Sequence, residues 1–319
     1  MSTSITHLHK TQQWLYLAPG GITIFETGKA KDGRPYLTVK ASKASSGSFD
    51  QSAEHAQWIK KIVTGKLNIL LGDGLYQVLL SDVPDVPEAE MDAAIELKAA
   101  DLLSYDLDAA TLDTLHLPKE AYRGRIRMAF IIAARKEPLR SWLVALIRLG
   151  IRVDIIDVEA TQLRNLALMK RKFNESGILH LQRNNSRLAL NYGQEMVLWR
   201  TFDIGLSSLV SETTVHDGDL EVTVTEDTQA IIQLETLALE IRRSLDYYES
   251  QLGLGAIAEI QFLCDAQYQQ LAEQLAAKLG VRFVQLDPNG FMRIQVNDPS
   301  DDPVAYYGLV GSIYREVAQ

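Results

Sequence analysis

The sequence is short of cysteine, of excess basic charge and of long apolar runs, and each shortage excludes something. Its single cysteine is Cys264, so no intramolecular disulfide can form, no thiolate cluster can hold a metal, and a reducing compartment fits. Lys and Arg number 32 against 41 Asp and Glu, a formal charge of -9. Neutralising a phosphate backbone takes clustered cations, so general nucleic-acid binding is not expected, although a local basic patch is compatible with these totals. No apolar run approaches the ~20 residues that cross a bilayer: Arg135 and Lys136 break one of the two most apolar regions and Arg148 the other. The opening residues, MSTSITHLHKTQQ, lack the charged and apolar regions of a secretory signal. The expectation is a chain soluble throughout, compatible with work at a membrane through a partner.

What is present is an ordinary globular composition, 46% hydrophobic and 23% charged over 319 residues, enough for two domains or subdomains with full cores. The clearest element covers residues 234–265. Leu234, Leu237, Ala238, Ile241, Leu245, Tyr248 and Leu252 recur at steps of three and four and lay an apolar stripe along a helix. Gly253 and Gly255 stop that helix, and residues 257–263 read as a buried strand.

Earlier, residues 14–17, 22–25 and 36–39 read as a three-stranded meander turned at Pro19-Gly20-Gly21, followed by a helix over 53–63 and a strand over 67–71. Gly72-Asp73-Gly74 signals a hairpin into a strand at 76–80. Pro84 and Pro87 then prime a helix to about residue 103, which explains their P-x-x-P spacing better than an SH3-type ligand does. Strands follow at 112–117 and 125–134, a helix at 137–149, a strand at 153–156 and a helix at 159–169.

Residues 170–177, KRKFNESG, mark a domain boundary, with the basic triplet reading as cations in a helix's last turn. A second meander, 178–182, 187–192 and 196–202, turns at Asn184-Asn185, a pair that tolerates positive φ. Residues 213–225 read as a polar hairpin arm or loop. After the long helix come a helix at 268–279, a strand at 281–286 and a terminal helix at 304–317. Two similar halves imply a duplicated α/β fold.

The run Glu240-Ile241-Arg242-Arg243-Ser244-Leu245-Asp246-Tyr247-Tyr248 resembles the long helix of the PilM-type pilus assembly proteins, whose fold is that of the actin-like ATPases. Five further runs, Tyr76-Gln77-Val78-Leu79-Leu80, Val83-Pro84-Asp85-Val86-Pro87, Ala121-Tyr122-Arg123-Gly124-Arg125, Arg164-Asn165-Leu166-Ala167 and Leu179-His180-Leu181-Gln182, are similar to the MshI branch, from biogenesis of the mannose-sensitive haemagglutinin pilus. The resemblance implies an α/β, actin-like (ribonuclease H-like) duplicated fold with a small α+β insertion. Its subdomains would be 1A (residues 1–75, 150–176 and 303–319), 1C (76–149), 2A (177–227 and 256–302) and 2B (228–255). It also implies a cytoplasmic scaffold peripheral to the inner membrane, joining a PilN-like bitopic membrane protein to the pilus assembly ATPase. The bitopic protein's tail would pack between the first subdomain and the insertion, and a homodimer is left open.

An actin-type nucleotide site needs a carboxylate at each of two strand-turn-strand units to order magnesium and its waters. Residues 11–25 contain no Asp or Glu, and neither do residues 176–194. The adenosine side needs a glycine pair between strand and helix, where this chain has Leu263-Cys264-Asp265-Ala266-Gln267. ATP is therefore disfavoured, no cofactor and no metal are expected, and no catalytic residue is assigned. A vestigial cleft would comprise Gly20, Gly21, Arg183, Asn184, Asn185 and Asp265, with Arg183 over the Asn pair as the one anion-binding feature. The alternative is a nucleotide-binding actin-like ATPase or phosphotransferase that recruits Asp154, Asp157 or Asp265.

Other apparent motifs have plainer readings. Gly253-Leu254-Gly255-Ala256-Ile257-Ala258 matches G-x-G-x-x-A but follows a helix and precedes a strand, the reverse of a dinucleotide turn. Cys264 with His180 lacks any flanking nucleophile motif and reads as core. His7, His9, His55, His116 and His216 show no metal-binding spacing.

Overall fold

The computed structural model describes residues 11–45, 47, 49–169, 172–210, 228–298 and 303–318. The chain divides into two compact units, residues 1–169 with 288–319, and residues 170–287. The expected hairpin arm at 213–225, His7, His9, His216, and Lys170 and Arg171 of the basic triplet lie outside the described residues.

In the first unit β1 (Gln12–Ala18), β2 (Gly21–Lys29) and β3 (Pro35–Ala44) form an antiparallel meander. After α1 (Ser52–Lys60), β4 (Lys66–Leu71) returns parallel to β1. The chain then leaves this sheet for an insertion made of β5 (Tyr76–Asp82), α2 (Met91–Ala100), β6 (Ala110–His116) and β7 (Met128–Arg135). It re-enters through α3 (Lys136–Arg148) and β8 (Arg152–Val158), which runs parallel to β4, and closes with α4 (Glu159–Met169).

The second unit repeats the plan with β9 (Glu175–Leu181), β10 (Ser186–Tyr192), β11 (Glu195–Phe202), a single turn α5 (Leu206–Leu209), α6 (Thr228–Asp246), β12 (Glu259–Leu263), α7 (Gln269–Leu279) and β13 (Arg282–Gln285). Its strand order is β11-β10-β9-β12-β13. The first sheet runs β3-β2-β1-β4-β8, with β14 (Arg293–Val296) added beside β3. Each sheet is three antiparallel strands followed by two parallel ones, in one order, so the expected duplication is present in the hydrogen bonding itself.

The first strands of the two sheets are almost continuously apolar because sheets covered on both faces cannot alternate. Trp14, Leu15, Leu17, Ile69, Leu70, Ile178 and Leu179 are buried, and Trp14 stacks on Phe25 at 6.0 Å. On the first sheet α1 packs against α3, where His55 stacks on Trp142. The C-terminal helix, Pro303–Ala318, lies on α4 so closely that a Cβ on Gly311 would fall 1.9 Å from the Gln162 carbonyl oxygen. A helix was expected here, but this one is 3₁₀ over 16 residues, far longer than the usual single turn of that type.

The insertion is a three-stranded sheet, β5-β7-β6, with a core in which Ile95 and Ala99 of α2 would be too few alone; Ile131, Leu79, Met91, Leu103 and Leu112 complete it. At its far end Tyr122 and Arg123 adopt φ of 56° and 57°, followed by Gly124 at 67°. Left-handed geometry at a non-glycine residue costs about 1–2 kcal/mol.

Three expectations need correction. The hairpin at Gly72-Asp73-Gly74 does not form: β4 stays in the large sheet while Tyr76 pairs with Ala134 of β7, so the turn is an exit into the insertion. Neither Asn184 nor Asn185 has positive φ, because neighbouring amides fix that turn from outside, as described below. On α6, Ser244 rather than Leu245 occupies the buried stripe. The helix widens into a π-turn at Tyr247–Leu252, and Ser244, Tyr248 and Leu252 align on the buried side before Gly253 ends it at φ 68°.

Candidate functional site

In the first unit the β1–β2 turn brings Gly20 and Gly21 to the C-terminal ends of β1 and β4, the end at which parallel α/β sheets bind ligands. The two glycines differ. A Cβ on Gly21 would lie 2.7 Å from the Lys43 carbonyl oxygen, whereas Gly20 has nothing within 4 Å. The acid at this end comes from α4. Glu159 is 1% exposed, and its Oε2 accepts from the Tyr16 hydroxyl at 3.3 Å and the Asp73 amide at 3.2 Å. Glu159 lies outside the two strand-turn-strand stretches because it arrives from a helix start. Its signal in the sequence was an acid inside the apolar run Val158-Glu159-Ala160.

The three acids considered for recruitment have local duties. Asp154 is exposed, and Lys66, then Arg152, hold its carboxyl below its ordinary value. Asp157 caps the entry to α4, accepting from the Val158 amide and the Gln162 side chain at 2.8 Å each and from the Thr161 hydroxyl. Asp265 caps a 3₁₀ turn by accepting from the Gln267 amide at 2.9 Å.

In the second unit the β9–β10 turn holds Arg183, Asn184 and Asn185 together and is braced by the segment after β11. Leu206 and Ser207 donate their amides to the Gln182 and Arg183 carbonyls at 2.9 and 2.8 Å, and the Ser207 hydroxyl reaches Asn184 Oδ1. A Cβ on Gly205 would sit 2.5 Å from backbone atoms of Asn184 and Asn185. Arg183 itself is exposed.

Beside this turn the sheet buries a polar pair. His180 and Arg187 face each other in register on β9 and β10, 3% and 4% exposed. Burial, and then the neighbouring Arg187 charge, push His180 down to about 3, so it is a neutral imidazole at physiological pH. Cys264 stands just past the end of β12, after Leu263, the register partner of His180. Burial pushes its thiol up to about 12, which suits core packing rather than nucleophilic attack. Among the described residues no three His, Cys, Asp or Glu side chains gather where they could hold a metal ion.

Two concavities flank the junction of the insertion with the first sheet. One, about 470 Å³, touches Pro19 of the β1–β2 turn and has a mixed lining, with Phe49 and Leu75 beside Gln77, Ser104 and Asp50, and with Arg135 placed 5.0 Å over the Tyr105 ring. The other, about 490 Å³, is an apolar groove walled by Leu112 and Leu115 of β6, Ile132 of β7, Leu139 and Leu143 of α3 and Ile156 of β8. Lys136 and Arg140 stand on one rim, and Asp113 and Asp157 also line it. β6 and β8 are each the outermost strand of their sheets, and both line this groove.

No family model matches the sequence, and neither does any curated protein. Among solved structures the chain is similar to a PilM–PilN type IV pilus biogenesis complex, with a TM-score of 0.66 and 18% identity over 96% of this chain and 98% of that one. It is also similar to the cytoplasmic domain of EpsL, an inner-membrane component of the type II secretion system of Vibrio cholerae (TM-score 0.49, 11% identity, 95% of each chain). A Bacteroides thetaiotaomicron protein with an actin-like ATPase fold matches at a TM-score of 0.49 and 10% identity, over 97% and 99% of the chains. At such identities the likeness establishes the fold alone: this is a duplicated α/β chain of the actin-like type.

Proposed function

We propose that this chain is a non-catalytic scaffold of a type IV pilus assembly machine, of the MSHA kind, which holds the extended cytoplasmic tail of a PilN-like inner-membrane protein and links it to the assembly ATPase. The observation that carries the reading is the apolar groove between the insertion and the first sheet, lined by the outermost strand of each sheet. An extended peptide satisfies its backbone on such an edge and places alternate side chains in the apolar wall. The pilus and membrane context rests on the fold likeness to the PilM–PilN complex and on the sequence resemblance. Subdomains at the boundaries given above, a cytoplasmic location and a homodimer belong to the same proposal; among the described residues no helix is long and apolar enough to cross a membrane.

Absence of catalysis is supported by the duties of Asp154, Asp157 and Asp265 and by the braced turn at Arg183-Asn184-Asn185. The second reading is an actin-like ATPase or phosphotransferase, and the observation favouring it is Glu159, a buried acid at the ligand-binding end of the first sheet.

Two measurements separate the readings. A titration with the membrane partner's cytoplasmic tail should give a saturable complex, weakened at least about tenfold by Leu143→Asp or Ile156→Asp, which place a charge on the apolar wall. Calorimetry with ATP and magnesium should give no turnover; micromolar binding with hydrolysis abolished by Glu159→Gln would replace the scaffold with the enzyme.

A further inference from the structure

One loop at the far end of the insertion carries a charge opposite to that of the chain. Residues 117–127 read Leu-Pro-Lys-Glu-Ala-Tyr-Arg-Gly-Arg-Ile-Arg, four cations and one acid in a protein of net charge -9. The fold gathers them at one tip. β6 ends at His116, Leu117 donates its amide to the Met128 carbonyl, and Val83, just past β5, donates to the Arg127 carbonyl, so all three strand ends converge there. Lys119, Arg123, Arg125 and Arg127 are exposed. Acids at this end include Glu120, Asp85, which lies 3.8 Å from Arg127, Asp82, which is matched by Lys98 at 3.0 Å, and exposed Glu90 on the segment from Val83 to α2.

Between Arg125 and Arg127 stands Ile126, 53% exposed at a place where packing does not require a large aliphatic. The left-handed run of Tyr122, Arg123 and Gly124 turns the chain at the tip, and backbone strain held at two non-glycine residues is a mark of functional segments.

We propose that this tip docks on an anionic phospholipid surface, with Lys119, Arg123, Arg125 and Arg127 over the headgroups and Ile126 entering the interface. A convex end bearing cations around a protruding aliphatic side chain suits a flat, deformable, negatively charged surface. A peptide would need a concavity, and the nearest one, the apolar groove, lies further back along β6. A nucleic acid would meet the repulsion of the remaining chain beyond this small island. The proposal is independent of the tail-binding reading, since lipid vesicles contain no protein partner.

The test is flotation of the full chain with vesicles of phosphatidylcholine alone or mixed in equal parts with phosphatidylglycerol. Enrichment on the mixed vesicles that falls as salt rises is expected, with Arg125→Ala weakening it roughly fivefold and Ile126→Ser roughly threefold at unchanged charge. Leu143→Asp in the groove should leave flotation unchanged. All these side chains are exposed or half-buried, and circular dichroism would check that each variant folds. Equal recovery on both vesicle types at low salt would overturn the proposal. So would indifference to Ile126→Ser together with equal competition by polyglutamate or duplex DNA, which would mark the tip as a site for an acidic macromolecule.

Discussion

The two sheets share one strand order, yet they treat the turn after the first strand in opposite ways. In the first unit the turn leaves open space at Gly20, whose carbonyl accepts from the Ser45 amide, and a buried carboxylate from α4 is bonded by Tyr16 and Asp73. In the second the turn is clamped by Gly205, Leu206 and Ser207, and the polar groups next to it are a buried neutral histidine and an arginine. A two-sided magnesium site needs carboxylates with free lone pairs at both turns. The difference shows that strand topology and local chemistry are separable: the backbone plan was duplicated, whereas the side chains at its ligand-binding ends were assigned to packing in one unit and to an internal hydrogen-bond network in the other.

The clamped turn offers the largest effect. Adding a methyl group at Gly205 drives it into backbone atoms of Asn184 and Asn185 that cannot step aside as a side chain would, so Gly205→Ala should lower stability by about 3 kcal/mol in urea unfolding. A loss below about 1 kcal/mol would mean that the brace yields easily and that the two turns are less different than the geometry implies. Glu159 comes next. Removing its carboxylate leaves the Tyr16 hydroxyl and Asp73 amide without that acceptor, and Glu159→Ala should cost about 2.5 kcal/mol by the same measurement.

The buried histidines sharpen the comparison through pH. His55 in the first unit has Ser45 Oγ and Lys43 Nζ at 3.1 and 3.5 Å from its two ring nitrogens, while His180 Nδ1 lacks a hydrogen-bond partner in a fully enclosed site. The folded state keeps His180 neutral down to about 3, whereas in the unfolded chain it protonates near 6.5. Below that value the unfolded state binds more protons, so the contribution is present above about pH 6.5 and is lost as pH falls towards 3. Between pH 7 and pH 5 His180 should account for about 2 kcal/mol of lost stability. The difference between wild type and His180→Leu in urea unfolding at the two pH values isolates that share, and parallel pH profiles would show that the imidazole can charge in place.

Much of the fold was legible because its signals are local. The meanders announce themselves through apolar strands with Pro-Gly and Asn-Asn turns, and α6 through its stripe and two terminal glycines. What was misread depended on distant partners. Gly72-Asp73-Gly74 has hairpin chemistry, but only the pairing of Tyr76 with Ala134, 58 residues further on, determines which sheet β5 joins. Likewise the stretches without acid at the two turns were visible in the sequence, while Glu159 and the groove were not. Glu159 enters from α4, and the groove is assembled chiefly from β6, β7, α3 and β8, whose lining residues are spread from 111 to 158. Single-sequence patterns carry no information about which edges face each other.

The smallest effect is the most informative about function. Gly20 lies in the turn that an anion would cover, yet it has no positive φ, and a Cβ there meets nothing within 4 Å. Gly20→Ala should therefore change stability by less than about 0.5 kcal/mol, the range of an unconstrained surface position, while Gly21→Ala, facing the Lys43 carbonyl oxygen at 2.7 Å, should cost clearly more. If the turn serves only as a loop, tail binding and pilus assembly also survive Gly20→Ala. If the first unit keeps a ligand site over Glu159, the added methyl group occupies the space where a phosphate would approach the backbone, so stability stays unchanged while activity falls. Stability and activity measured together on this one variant therefore decide whether the open space at this turn is idle or in use.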